Sequence, residues 1–305
     1  MLIGNKKYKI THKLGQGKFG VVCAGVRMKK STDPNGNNSN TNTKVAIKLE
    51  KIDAPMKLLK HETAIMNYLF RNGCANIPTI FLFGIEQNYT FTVMTFLEHS
   101  IHEFDFYMSI ESRHSFMVQA ITILKNIHSL SIIHRDIKPD NFRICHLTKR
   151  LYLVDFGLST TTTTGPTAPT TTPTTTEPIV YKTHMIGTPD FVSYFVHQGL
   201  APKKRDDFIS LGYIYLYYHF NSHLPWENPH QHQPQQGQGA TATTETETLL
   251  SSPRNQYRQQ MKKWEYLQTR MDEPILSYLH ILYNGEHAEH EDNIPYDKLL
   301  SFFQL

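Results

Sequence analysis

The chain reads as an α+β protein with a small β-rich part first and a larger, mainly helical part after it. Three observations point to this. Residues 8 to 30, 45 to 48, 77 to 85 and 89 to 97 show the alternation and bounding turn residues of strands. From residue 113 onward, apolar residues recur instead at helical spacing, as in Phe116, Ala120, Ile121, Leu124 and Ile127. Following that first long helix stands His134-Arg135-Asp136-Ile137-Lys138-Pro139-Asp140-Asn141, with Asp155-Phe156-Gly157 beginning fourteen residues after Asn141. This stretch carries more chemistry than any other in the chain.

A chain of 305 residues is long enough for one large domain or two lobes with a sizeable core. Charged residues make up 19% and apolar ones 39%, as in an ordinary globular protein. The formal charge of +4 is too small to argue for nucleic-acid or membrane binding, and neither partner is expected. The 17 histidines are scattered without metal-ligand spacing. Cys23, Cys74 and Cys145 lie far apart and suggest neither a zinc site nor a disulfide framework. No apolar signal core opens the chain, and the run from Phe208 to Phe220 is too short to span a bilayer. An intracellular protein, cytoplasmic or nuclear, is expected, and nothing demands more than a monomer.

In chain order, Leu14-Gly15-Gln16-Gly17-Lys18-Phe19-Gly20-Val21-Val22 places glycines where a backbone can approach phosphates without a Cβ in the way. The residues after this loop read as another strand, which favours a strand–turn–strand over the strand–turn–helix of dinucleotide folds. Ser31 to Thr43 is an Asn-rich loop insertion. Val45-Ala46-Ile47-Lys48 resumes as a strand, and Glu62, in the helical stretch 57 to 71, is the candidate partner of Lys48. Met94-Thr95-Phe96-Leu97 follows the last strand. Residues 113 to 130 form a buried helix, and 207 to 220 another. Residues 159 to 178, rich in Thr and Pro, and Asn228 to Arg254, rich in Gln and His, are low-complexity insertions. Amphipathic helices are expected at Tyr257–Met271, Pro274–Tyr283 and Tyr296–Phe303.

Phosphoryl transfer from ATP needs a group that accepts the proton of the attacking hydroxyl, ligands for Mg²⁺, and a cation near the transferred phosphate. Asp136, then Asn141 with Asp155, and Lys138 supply these. The full H-R-D-x-K-x-x-N followed by D-F-G is highly specific, and with G-x-G-x-x-G-x-V and V-A-I-K the chain resembles a eukaryotic-type protein kinase over nearly its whole length. Within that superfamily it is most similar to the casein kinase 1 group, which includes the vaccinia-related kinases. Ile77-Pro78-Thr79-Ile80 carries this likeness, as do Gly187-Thr188-Pro189-Asp190-Phe191-Val192-Ser193 in place of an A-P-E motif, Arg205-Asp206-Asp207 with Ser210-Leu211-Gly212-Tyr213, and Leu224-Pro225-Trp226.

The resemblance implies a bilobal fold holding ATP in its cleft: one kinase domain over 1–305, with an N-lobe at about 1–95, a hinge at about 94–98 and a C-lobe at about 98–305. By matching position, Gly15, Gly17 and Gly20 cover the phosphates, Lys48 grips them and Glu62 holds the lysine. Leu14, Val22 and Ala46 join them as nucleotide-binding candidates. The backbone of 94–97 faces the adenine edge, and Thr95 departs from the usual acidic residue there. Asp136 is the base, Lys138 neutralises the γ-phosphate, and Asn141 and Asp155 bind Mg²⁺. Asp207 holds the catalytic loop through backbone N–H groups. Lys138 and Gly187-Thr188 imply Ser/Thr acceptors on protein substrates. Pro202-Lys203-Lys204-Arg205 is a basic cluster suited to acidic or phosphorylated sequences. Two rivals are a catalytically silent pseudokinase scaffold and a kinase of small alcohols. The intact Lys48, Asp136 and Asp155 oppose the first, and the D-F-G and Arg205–Asp207 motifs oppose the second.

Overall fold

The structure, a computed structural model, describes residues 1–17, 20–28, 43–103, 109–145, 147–162, 186–227, 252–285 and 293–304. They divide into two compact units, Met1–Glu103 with Asp140–Ser159, and Phe104–Pro139 with Thr160–Leu305. Most of the Asn-rich, Thr/Pro and Gln-rich stretches lies outside the described residues.

In the first unit, β1 (Leu2–Ile3), β2 (Tyr8–Gly17), β3 (Gly20–Arg27), β4 (Lys44–Lys51), β5 (Ile80–Glu86) and β6 (Tyr89–Thr95) form an antiparallel sheet in the order β1-β2-β3-β4-β6-β5. Alternation sets its two faces. Val45 and Ile47 point to one side and pack with Ile3, Tyr8, Phe91 and Val93, joined by Leu49 and Leu82. Ala46, Lys48 and Glu50 therefore point to the other side, where helix α1 (Leu59–Arg71) lies. α1 has no side-chain cap of its own. Buried Glu50 supplies one: its Oε1 accepts from Leu58 N at 2.8 Å and Leu59 N at 3.1 Å. The helix thereby gains an anion at its positive end and partners for two otherwise orphaned donors. Further along, the hydroxyls of Thr63 and Thr92 meet at 2.7 Å and join α1 to β6. Short strands at Phe142–Ile144 and Leu151–Leu153 complete this unit with His99–Ser100.

In the second unit, α2 (Ile110–Ser129) starts at Ser109, whose Oγ accepts from Ser112 N at 3.1 Å. The cap places the helix start three residues before the first position that apolar spacing marks. After α3 (Tyr194–His197) comes α4 (Lys204–His219), which is buried on nearly every side and packs against α2. Phe208, Leu211, Ile214 and Leu216 give it an apolar surface all round, the pattern of a central helix. The one amphipathic helix expected over 257–271 is instead broken. α5 (Pro253–Met261) begins earlier, with Ser252 as its cap and proline in its first turn. It stops at Lys262, and Lys263 is extended (φ −61°, ψ 143°) before α6 (Trp264–Leu267). At the break, the Lys262 carbonyl accepts from Tyr283 Oη at 3.0 Å and its side chain is fully buried. α7 (Ile275–Asn284) packs on α4, and α8 (Tyr296–Ser301) on α2. Among the described residues, no helix is long and apolar enough to cross a membrane.

Replacing Glu50 by alanine strands two buried N–H groups at the start of α1. A loss of about 1–3 kcal/mol in unfolding free energy is expected from denaturant titration.

Candidate active site

The structure gathers the candidate residues into two groups, one in each unit. In the first unit, strand register does the placing. Val22 pairs with Gly15 on one side and Lys48 on the other, and Ala46 is two residues from Lys48, so Val22, Ala46 and Lys48 share the face that carries α1. Glu62 lies one turn into α1 and accepts from Lys48 Nζ at 2.7 Å. Asp155 Oδ1 accepts from the same amine at 2.9 Å. Burial alone would lower the pKa of the Lys48 amine, but Glu62 and Asp155 outweigh it and hold the amine firmly charged. With two carboxylates on one ammonium, the enclosed one carries the strain: burial pushes Glu62 up to about 7, against the pull of Lys48 and with Asp155 adding to it.

Asp155 sits in the left-handed region at φ 65°, directly after Val154, whose N–H donates to Asn141 O at 2.9 Å. This backbone bond ties the residue before Asp155 to Asn141. One carboxylate and one amide oxygen are hard donors of the kind Mg²⁺ shares with phosphate oxygens and water, so the pair fits that ion. The glycines divide by cause. Gly20 has φ +150°, and a Cβ there would stand 2.4 Å from Leu49 O, so its own packing demands glycine. At Gly15 and Gly17 a Cβ would meet nothing within 4 Å. Among the described residues, packing leaves these two unconstrained. Leu14 precedes them, half exposed. Thr95 ties β6 to the chain before β5, its Oγ1 accepting from Thr79 N at 3.0 Å.

In the second unit, Lys138 Nζ lies 2.7 Å from Asp136 Oδ2. Thr188 completes a ring that spacing alone does not reveal: its hydroxyl donates to Asp136 Oδ1 at 2.7 Å and accepts from Lys138 Nζ at 2.9 Å. Gly187 brings Thr188 there. It has φ +102°, and a Cβ would come within 2.7 Å of Arg135 O. The loop that bears Asp136 is held by Asp207, in the first turn of α4. Its Oδ2 accepts from His134 N at 2.8 Å and its Oδ1 from Arg135 N at 2.9 Å, and Arg135 takes the uncommon φ of 68°. His128 Nε2 donates to Oδ2 as well, at 2.8 Å. Burial would raise the Asp207 carboxyl, but the hydrogen bond from His128 and the neighbouring donors hold it below the ordinary carboxylate range. Of the basic cluster, Arg205 is turned inward with its guanidinium 3.7 Å from the centroid of the Phe195 ring, leaving Lys203 and Lys204 as the half-buried cations.

A protein kinase domain matches residues 8–281, and the chain belongs to the protein kinase family. It is 33% identical over 232 residues to Casein kinase I homolog 1 of Saccharomyces cerevisiae (strain ATCC 204508 / S288c), in agreement with the casein kinase 1 likeness carried by its motifs. That alignment covers 72% of this chain, and the chain spans only 39% of the yeast protein.

Removing the Asp207 carboxylate leaves three donors, two of them buried, without this acceptor. Asp207→Ala is expected to lose about 3–5 kcal/mol at neutral pH. Because the folded carboxyl titrates below its ordinary 3.8, the ionic part of this contribution is present above that value and is lost as pH falls through the folded one. The stability gap between wild type and variant is therefore expected to narrow on acidification below pH 4, as followed by denaturant titration.

Proposed function

We propose that the chain transfers the γ-phosphate of ATP to serine and threonine hydroxyls of protein substrates. The observation that carries this is the Thr188 hydroxyl donating to Asp136 while Lys138 approaches the same oxygen. A carboxylate that already accepts an O–H at hydrogen-bond distance, beside a cation, can orient an acceptor hydroxyl and take its proton as the bond to phosphorus forms. The Lys138 ammonium offsets charge on the transferred group. Lys48, kept charged by Glu62 and Asp155, is suited to hold the α and β phosphates, and Gly15, Gly17 and Gly20 bring backbone N–H groups close to them. Asn141 and Asp155 would hold Mg²⁺. The bound ion neutralises charge on the phosphate oxygens. The name of the yeast relative supports the same activity. Lysine rather than arginine or alanine chemistry after Asp136 supports Ser/Thr acceptors, and Lys203 with Lys204 supports a preference for acidic or phosphorylated sequences.

Label from radioactive ATP with Mg²⁺ is expected on serine and threonine of casein. Asp136→Asn, which keeps the shape but not the base, is expected to lower turnover by roughly 10²–10⁴. Near-normal turnover in that variant would defeat the mechanism, and nucleotide binding without transfer in the wild type would assign the chain a scaffold role. Charge reversal at Lys203 and Lys204 is expected to raise KM for acidic or phosphorylated peptides far more than for neutral ones. Equal effects on both peptide classes would remove the anion preference.

A further inference from the structure

Lys262, at the end of α5, has no exposed surface, yet its amine is not idle. Nζ donates to two backbone carbonyls, Pro189 O at 2.9 Å and Val192 O at 2.6 Å, and stands 3.4 Å from His197 Nδ1. The rings of Tyr213 and Trp226 flank it, each with its centroid 5.0 Å away. One helical turn earlier, buried Arg258 pairs through Nε with Asp190 Oδ1 at 2.7 Å, and Trp226 Nε1 donates to Asp190 O at 2.8 Å. These contacts converge on Pro189–Val192. Burying an amine costs several kcal/mol that a methionine of similar length would not incur. Burial drives the pKa of Lys262 well down, with Asp190 opposing, but the amine donates to both carbonyls in either protonation form.

The residue immediately before Pro189 is Thr188, whose hydroxyl joins Asp136 to Lys138. On its other side Gly187 lies against Arg135 O. Thr188 is thus the middle of a short loop fixed at both ends, and Lys262 fixes the far end. We propose that Lys262, with Arg258 beside it, is a positioning residue for phosphoryl transfer: by holding the carbonyls of Pro189 and Val192, it sets the Thr188 hydroxyl between Asp136 and Lys138. This rests on the phosphotransfer reading. It assigns the loop's placement to a buried lysine on backbone oxygens, in the segment where Gly187 to Ser193 stand in place of an A-P-E motif.

The test is a double-mutant cycle read in kcat, with KM for ATP and thermal midpoint measured alongside. Lys262→Met is expected to lower kcat for a peptide acceptor by about 10- to 100-fold, the cost of a reacting group misplaced by about an ångström, with KM for ATP unchanged. Thr188→Ala is expected to lower kcat as well. The double variant is expected to be no slower than the slower single one, because both changes remove the same placement. Losses that multiply in the double variant, or a Lys262→Met enzyme with wild-type kcat, overturn the proposal. Arg258→Gln, which frees Asp190 without opening the Lys262 site, runs through the same cycle with Thr188→Ala. If Lys262→Met does not fold, multiplied losses in the Arg258 cycle overturn the proposal and non-multiplied losses sustain it. A wild-type chain without transfer would strike the phosphotransfer reading itself, whereas an active wild type matched by the variants strikes only the positioning role.

Discussion

The second unit depends on one buried carboxylate. Asp207 has no water to solvate it, so its charge is tolerable only if donors surround it. It finds three: the imidazole of His128 and the backbone N–H groups of His134 and Arg135. Two of these belong to consecutive residues of one loop, and satisfying both draws Arg135 into a left-handed conformation that its side chain disfavours. The next residue is Asp136. The electrostatic need of a helix residue is thereby converted into the direction of a side chain more than seventy positions earlier. Gly187 then rests on the carbonyl of that same Arg135, so the loop that delivers Thr188 is registered against the loop that delivers Asp136.

The first unit uses charge in a different way. Its sheet has one face closed by apolar side chains and another that carries Lys48 and Glu50 two residues apart. Each engages α1 from the same strand, Lys48 through a side chain of the helix and Glu50 through its first backbone groups. The lysine is held charged and the glutamate opposite it is pushed up, a distribution in which the cation is the fixed element and the carboxylate the adjustable one.

Much of this is legible in the sequence because the chemistry is concentrated in short runs. H-R-D-x-K-x-x-N, D-F-G and V-A-I-K name their residues by spacing, and Glu62 follows from its place early in an amphipathic helix. The strands β2 to β6 and the helices α2, α4, α7 and α8 follow from period and turn residues, with ends shifted by caps such as Ser109. What spacing does not show is long-range and polar. Thr188 meets Asp136 across 52 positions and Lys262 meets Pro189 across 73. A lysine in a polar, amphipathic stretch reads as part of a solvated face, so neither its burial nor the helix break beside it has a local signal. Glu50 is hidden for a similar reason: a glutamate at a strand end gives no sign that it caps the next helix. Arg205 shows the converse, a residue in a basic run whose cation is spent on Phe195.

The placement of Lys48 and Glu50 on one strand has a mechanical consequence. A rotation of α1 that drew Glu62 away from Lys48 would at the same time pull the Leu58 and Leu59 N–H groups from Glu50. Two buried carboxylates would lose partners in a single displacement, and a half-turned helix would bear both losses with neither recovered by solvent. The two contacts therefore oppose the same displacement of α1.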